Sequence, residues 1–109
     1  MRDLLEKAVT KFNEKAKTDE ELREDLTGIE RKVMIDLKNG TQYNFILKDA
    51  HIDGVNDGPV DSPDITVIAE ESVFEALFKR EMGPMKAIAL QKLKVKASIE
   101  DMLRLRKFF

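Results

Sequence analysis

Apolar residues recur at helical spacing near the start of the chain and at alternating spacing further along. From Leu4 to Ala16 an apolar side chain returns every three or four residues, which predicts an amphipathic helix. Thr18 and Glu21 then form a capping-box pattern that predicts a short second helix. Gly28, a residue type that often ends helices, closes it. The chain is therefore predicted to begin with two helices.

The pattern then changes to alternation of apolar and polar residues. Two alternating runs within residues 30–48 flank Asn39-Gly40, a dipeptide typical of tight hairpin turns in which both positions have positive φ. We expect one apolar face and one largely polar face on this β-hairpin. Residues 51–55 predict a third short strand, and the turn formers of 56–63 predict no regular structure.

The second half of the chain opens with a fourth strand and two helices. The strand covers residues 64–69. The first helix is predicted to begin near Glu70 or Ser72, and Ser72 with Glu75 forms another capping-box pattern. Gly83 is expected to end it, and Pro84 suits the first turn of the next helix.

A last strand and a last helix complete the pattern. The strand alternates apolar residues with Lys92, Lys94 and Lys96, which we expect on a solvated face. The alternative for this lysine row is contact with anionic lipid headgroups or an acidic partner. Ser98 with Asp101 caps the last helix. Its buried face is predicted to hold Ile99, Met102, Leu103 and Leu105.

The order of elements predicts an α+β fold in a single domain that covers residues 1–109. Two helices precede four strands, and two helices, a strand and a helix follow. We expect a five-stranded, mostly antiparallel sheet with about five helices covering one face.

Composition narrows the class of protein. With 42% hydrophobic and 37% charged residues, the chain is predicted to be globular and soluble. A net charge of −2 argues against nucleic-acid binding, which needs a concentrated positive face. There is no cysteine, and no apolar run approaches the ~20 residues that span a bilayer. The charged start of the chain is unlike a secretory signal, so we expect a cytoplasmic protein.

Polar residues give little support for a catalytic or metal site. The acidic loop 53–64 invites a calcium interpretation, but Val55 stands where an oxygen ligand is needed, so solvated turns are favoured. His51 is the only histidine, and Asp49 and Asp53 are its neighbours in sequence. A surface histidine is favoured over a catalytic one. We therefore expect no enzyme activity, no metal and no cofactor.

Flexible and aromatic apolar side chains are concentrated in the second half of the chain. Methionine fills irregular space and adapts to varied ligands, but ordinary cores use it too. Spacing alone does not decide between an ordinary core and a surface that lines a ligand. The set consists of Phe74, Phe78, Met82, Met85, Met102, Phe108 and Phe109.

The order and spacing of several short segments resemble the sterol carrier protein type 2 domain family. The likeness covers nearly the whole chain and is more specific in the second half. Each segment alone is short and apolar, so the resemblance depends on their order and spacing. The segments are 35–40 upstream, then Pro63 to Val67, Phe74 with Leu77, Pro84 to Ala87, and Lys92 to Lys96.

This resemblance implies a five-stranded sheet with helices on one face and an apolar tunnel between the two layers. Members of the family bind fatty acids, fatty acyl-CoAs, sterols or other lipids, so the implied partner is a lipid or fatty acyl ligand. Phe108 with Phe109 is expected to act as a mobile plug. The predicted tunnel lining is Phe74, Leu77, Phe78, Met82, Met85, Ile88, Met102, Leu103 and Phe108.

Three positions depart from the family pattern, and one other function remains open. Gln91 and Ala97 stand where glycines usually bracket the lysine-rich strand, and Arg80 stands where a glycine often ends the first middle helix. These changes bear on turn geometry and on the shape of a cavity. The alternative function is a protein-interaction or homodimerisation module that uses the apolar C-terminal helix. If the ligand is transferred, a transient contact with a membrane surface is expected.

Overall fold

The computed structural model describes residues 1–107, with side chains described through Arg104. It confirms the α+β fold, with five helices and six strands in this part of the chain. The helices are α1 (Arg2–Thr18), α2 (Glu20–Leu26), α3 (Glu71–Phe78), α4 (Pro84–Ala89) and α5 (Ile99–Lys107). The strands are β1 (Glu30–Asp36), β2 (Gln42–Lys48), β3 (His51–Ile52), β4 (Asn56–Asp57), β5 (Ile65–Ala69) and β6 (Leu93–Lys96).

The sheet is mixed and has one strand more than predicted. Its order is β3-β2-β1-β5-β6, with β4 also paired to β2. The β1–β5 pair is parallel, and the other pairs are antiparallel. The predicted third strand is divided because residues 53–55 bulge away from β2, so that β4 forms where only turns were expected. Val55, in the bulge, is buried.

The β1–β2 hairpin is confirmed, but its turn is longer than two residues. Residues 37–41 join the strands, and φ is positive at Lys38 (66°) and Gly40 (90°) but not at Asn39. The Asn39 side chain instead accepts a hydrogen bond from the Thr41 amide at 3.0 Å. The prediction of a tight Asn-Gly turn was wrong because this side chain stabilises a wider loop.

One predicted helix cap is shifted by one residue, and another is not formed. Thr18 ends α1, where its hydroxyl donates to the carbonyl of Lys15, and the cap of α2 is Asp19, which accepts from the Leu22 amide at 3.1 Å. Helix α3 begins at Glu71, between the two predicted starts, and Ser72 does not cap it. Gly83 does not end α3, which stops at Phe78, but precedes α4.

Helix α1 is fixed to the bulged edge of the sheet by two polar side chains. Asn13 donates to the carbonyl of Ile52 at 2.7 Å and accepts from the Ile52 amide at 2.9 Å. Arg2 donates to the carbonyl of Val55 at 2.7 Å and pairs with Asp57. These bonds satisfy backbone groups of the edge strand β3 and a carbonyl in the bulge.

The core has two parts on the same side of the sheet as the helices. The smaller part joins α1, α2 and the turn after β2. The larger part uses the alternating apolar positions of β1, β5 and β6 together with side chains from α1, α3 and α4. Its buried members include Leu5, Val33, Ile35, Ile65, Ala69, Phe74, Ala87 and Leu93.

Candidate functional site

The candidate site is the apolar layer between the sheet and helices α3 and α4. Five of the predicted lining residues meet there. Phe74 is 3% exposed and belongs to the core, and its ring lies 6.3 Å from that of Phe78, between centroids. Leu77, Phe78, Met82 and Ile88 are partly buried and pack against the same core.

The sheet contributes partly accessible apolar side chains to the same layer. Phe45, Val67 and Val95 point toward the helices and pack against the core, yet none of them is fully buried. Val67 lies on β5, which has a strand on each side, so an incomplete cover rather than an edge position exposes it. Both walls of the layer are therefore apolar and partly reachable from outside.

The remaining predicted lining residues lie elsewhere or outside the described residues. Met85 is 49% exposed and Leu103 is 57% exposed. Met102 is partly buried. Phe108, like Phe109, lies outside the part of the chain that the structure describes, as does the side chain of Leu105.

The predicted buried face of α5 was wrong at Ile99 and Leu103. Ile99 is 82% exposed, and Leu103 also faces solvent, whereas Asp101 is 4% exposed. Ser98 does cap the helix, since its hydroxyl accepts from the Asp101 amide at 3.1 Å. The helix is turned so that its charged residue, not its apolar pair, faces the sheet. The physical reason is an ion pair with β1.

Asp101 accepts hydrogen bonds from two arginines. The Nε of Arg31 lies 2.9 Å from Oδ2 and 3.1 Å from Oδ1, and Nη1 of Arg104 lies 2.7 Å from Oδ1. The bond to Asp101 is the main reason that the pKa of Arg31 is raised above its ordinary value. A carboxylate that is removed from water needs such partners.

Sequence reasoning missed this ion pair, although one signal was present. Arg31 precedes Val33 by two residues in β1, and alternate residues of a strand share a face. Arg31 therefore points to the same side as the core. An arginine at an inward position of a strand predicts a buried acidic partner on the covering layer.

Two concave surfaces lie outside the apolar layer. One, of about 550 Å³, opens on the other face of the sheet beside Ile46 and His51, and one of about 240 Å³ lies beside α5 at Glu100 and Leu103. His51 Nε2 lies 3.2 Å from Asp53 Oδ1, and both side chains are exposed. Among residues 1–107, no three potential metal-ligating side chains are grouped together.

Residues 9–109 match the SCP-2 sterol transfer family. The chain belongs to this family. The expected resemblance is confirmed, and it associates the chain with sterol or lipid binding and transfer in general. No curated protein matches the chain in sequence. None of the helices in the described residues is long and apolar enough to cross a membrane.

Solved structures with SCP-2 folds superpose on most of the chain. The sterol carrier protein domain 2 of Helicoverpa armigera has 19% identity and a TM-score of 0.63, covering 94% of this chain and 82% of that one. Palmitated SCP2L2 from Aedes aegypti has 16% identity and a TM-score of 0.60, covering 83% and 92%. At such identities the likeness shows the fold alone.

One structural neighbour is a much longer enzyme. The stereoselective inverting sec-alkylsulfatase Pisa1 from Pseudomonas sp. has 12% identity and a TM-score of 0.60 over 75% of this chain. This chain spans 13% of the sulfatase. The shared fold thus occurs both as a small protein and as a small part of an enzyme.

The departures from the family glycines have a clear structural effect at two of three positions. Arg80 and Gln91 both have a φ of 60°, in the left-handed region where glycine is favoured. Ala97 does not have positive φ. The chain therefore builds these two turns with residues other than glycine in a strained, left-handed conformation.

Proposed function

We propose that the chain binds a long apolar ligand noncovalently between the sheet and helices α3 and α4. The class includes fatty acids, fatty acyl-CoAs, sterols and isoprenoids. The observation that carries this proposal is that apolar side chains on both walls, such as Phe78 and Val67, belong to one core yet remain partly exposed. An acyl chain that covers them gains free energy by leaving water. We propose that the chain itself catalyses no covalent step.

The dependence of affinity on acyl length tests this proposal. Each buried CH₂ contributes ~0.8 kcal/mol, so shortening a fatty acid by two carbons is expected to weaken binding about tenfold. Palmitate is the first probe, because SCP2L2 of Aedes aegypti was solved as a palmitated protein. Thermal shift and native mass spectrometry with laurate, myristate and palmitate give the series. Absence of any bound lipid or thermal shift across it would contradict the proposal.

A tryptophan placed in the layer tests where the ligand lies. The chain has no tryptophan, so Val67→Trp creates a single fluorescent reporter on the inner wall of β5. The matched control is Ile68→Trp, because adjacent residues of a strand point to opposite faces. We expect palmitate to shift the emission of the first variant and leave that of the second unchanged. The reverse result would place the ligand on the other face.

Transfer of the ligand between membranes is the finer part of the proposal. It requires a transient contact with a bilayer surface, from which the lipid enters the apolar layer. Donor and acceptor vesicles carrying a fluorescent fatty acid measure this directly. A rate that rises with acceptor vesicle concentration supports transfer by contact, and a rate independent of it supports release into water.

Self-association through α5 is a second candidate function. Ile99 and Leu103 lie four residues apart on one side of α5 and are 82% and 57% exposed. Such an apolar pair suits packing against the same helix of another copy. We expect a concentration-dependent dimer in sedimentation equilibrium that Ile99→Ser with Leu103→Ser abolishes. The matched control is Ile46→Ser, an exposed apolar residue on the sheet. A monomer at all concentrations would exclude this candidate.

A further inference from the structure

Positive charge is concentrated in residues 79–96. This segment holds six basic residues and one acidic residue, a net charge of +5, whereas the whole chain carries −2, so the rest of the chain carries −7. All six basic side chains are exposed, and within residues 1–107 none of them forms an ion pair. These charges are therefore available to an external anion. The six are Lys79, Arg80, Lys86, Lys92, Lys94 and Lys96.

The fold brings α4 and β6 together at one margin of the sheet, with Lys94 and Lys96 on the face of β6 that points away from the helices. Helix α4 packs beside β6, the outermost strand of the sheet. Lys94 and Lys96 lie on β6, Lys86 lies on α4, and the others lie in the turns directly before and after α4. We call the exposed side chains of residues 79–96 the basic edge.

The basic edge also exposes two large apolar side chains. Met85 on α4 is 49% exposed, and Leu90 at the end of α4 is 52% exposed. Ala87, which is 0% exposed and faces the core, lies on the opposite side of α4 from Met85. Exposed apolar side chains in the same segment as several lysines are typical of segments that rest on a bilayer, with the apolar groups among the acyl chains and the lysines at the phosphates.

We propose that the basic edge is a docking surface for an anionic lipid bilayer. The inference rests on the proposed function, since it names the membrane from which a ligand is taken. The same segment forms both surfaces: Met82 and Ile88 face the apolar layer, and Met85 faces outward. A lipid leaving the bilayer at α4 therefore has a short path into the candidate site.

The side chains of the basic edge favour a bilayer over a nucleic acid or an acidic protein. Five of its six basic residues are lysines, and residues 79–96 contain no aromatic residue. Single-stranded nucleic acids are bound by aromatic stacking together with basic side chains, and the strongest contacts of protein interfaces come from tryptophan, tyrosine and arginine. Lysines around flexible apolar side chains fit a fluid, phosphate-covered surface better.

Vesicle sedimentation with the full chain tests the proposal. We expect binding to vesicles of phosphatidylcholine with about 30% phosphatidylserine, little binding to pure phosphatidylcholine, and loss of binding when salt rises from about 0.05 to 0.5 M. Each basic residue near such a surface raises partitioning about fivefold, so Lys86→Gln with Lys92→Gln should lower it about 25-fold. The matched control is Lys7→Gln with Lys11→Gln on α1, where we expect less than a twofold change.

Substitution of Met85 and Leu90, combined with the palmitate assay, distinguishes failure of the docking surface from failure of the proposed ligand site. Met85→Ser with Leu90→Ser should weaken vesicle binding about tenfold while the palmitate response of the tryptophan reporter stays unchanged. Equal loss in the α1 control, equal binding to neutral vesicles, or binding to RNA but not to vesicles would overturn the docking surface. Palmitate binding without vesicle binding would overturn this inference alone, and vesicle binding without palmitate binding would overturn only the proposed function.

Discussion

Arg31 and Asp101 lie 70 residues apart in the chain and meet between β1 and α5, with Nε of the arginine 2.9 Å from Oδ2 of the aspartate. In the described residues this pair is the polar link between α5 and the sheet. It explains why α5 leaves Ile99 and Leu103 facing solvent. The helix is oriented by a charge that must be satisfied, since an unpaired buried carboxylate is more unfavourable than exposed leucine or isoleucine.

Asp101→Ala is expected to lower the free energy of unfolding by about 1.5–3 kcal/mol, because the hydrogen bonds from two arginines are lost and the Arg31 guanidinium loses its hydrogen-bonded carboxylate. Urea denaturation measures the change. The matched control is Glu100→Ala, the exposed neighbour on the same helix, which should change stability by less than about 0.5 kcal/mol. Equal effects of the two substitutions would contradict a special role for Asp101.

The stabilisation that Arg31 contributes is expected to be independent of pH over the ordinary range. The pKa of Arg31 is raised in the folded protein, mainly by the bond to Asp101. The contribution of Arg31 to the free energy of unfolding is therefore fully present below the ordinary arginine pKa and is lost only as pH rises through the higher folded pKa. The difference in unfolding free energy between the parent chain and Arg31→Met should stay constant between about pH 6 and 10. A difference that falls steadily over that interval in urea titrations would show that another group is responsible.

Arg80→Gly and Gln91→Gly are each expected to stabilise the protein by about 0.5–1 kcal/mol. Both residues are exposed and have a φ of 60°, so glycine removes left-handed strain of about 1–2 kcal/mol. Part of this gain is offset because glycine increases the conformational entropy of the unfolded chain. Thermal unfolding checks the sign. Ala97→Gly is the control: without positive φ it should destabilise by about 0.4–1 kcal/mol. Destabilisation at all three positions would refute the explanation.

Asn13→Ala is expected to lower the free energy of unfolding by about 1–3 kcal/mol and to loosen the bulged edge. The amide of Asn13 forms two hydrogen bonds with the backbone of Ile52, and its loss leaves both groups without that partner. Hydrogen exchange should show faster exchange at the Ile52 amide and little change in β1. Lys11→Ala, an exposed change on the same helix, is the control. Unchanged exchange at Ile52 would contradict the proposed tie.

Most of the fold could be predicted from the sequence, because the spacing of hydrophobic residues identifies helices and strands that have one buried face. The helix α1, the β1–β2 hairpin and β6 with its lysines follow directly from spacing. The family resemblance supplied the arrangement in space. The parallel pairing of β1 with β5 is a long-range contact for which local pattern gives no signal. Where the third strand is divided, side chains of α1 bond to its backbone, and these long-range contacts likewise leave no signal in the local pattern.

The candidate site was predicted only in part, and the reason lies in α5. Phe74, Leu77, Phe78, Met82 and Ile88 meet in the apolar layer because α3 and α4 cover the sheet with ordinary amphipathic stripes. Helix α5 breaks that rule, since one salt bridge outweighs the burial of its apolar pair. Apolar spacing therefore placed Ile99 and Leu103 on the wrong side.

The two edges of the sheet differ in how they resist pairing with another strand. On one side the bulge at residues 53–55 breaks the regular ladder, and on the other β6 carries the exposed Lys94 and Lys96. Irregular or lysine-bearing margins are poor templates for a strand from a neighbouring molecule. A sheet whose two margins are protected in this way can be present at high concentration without joining edge to edge into fibrils.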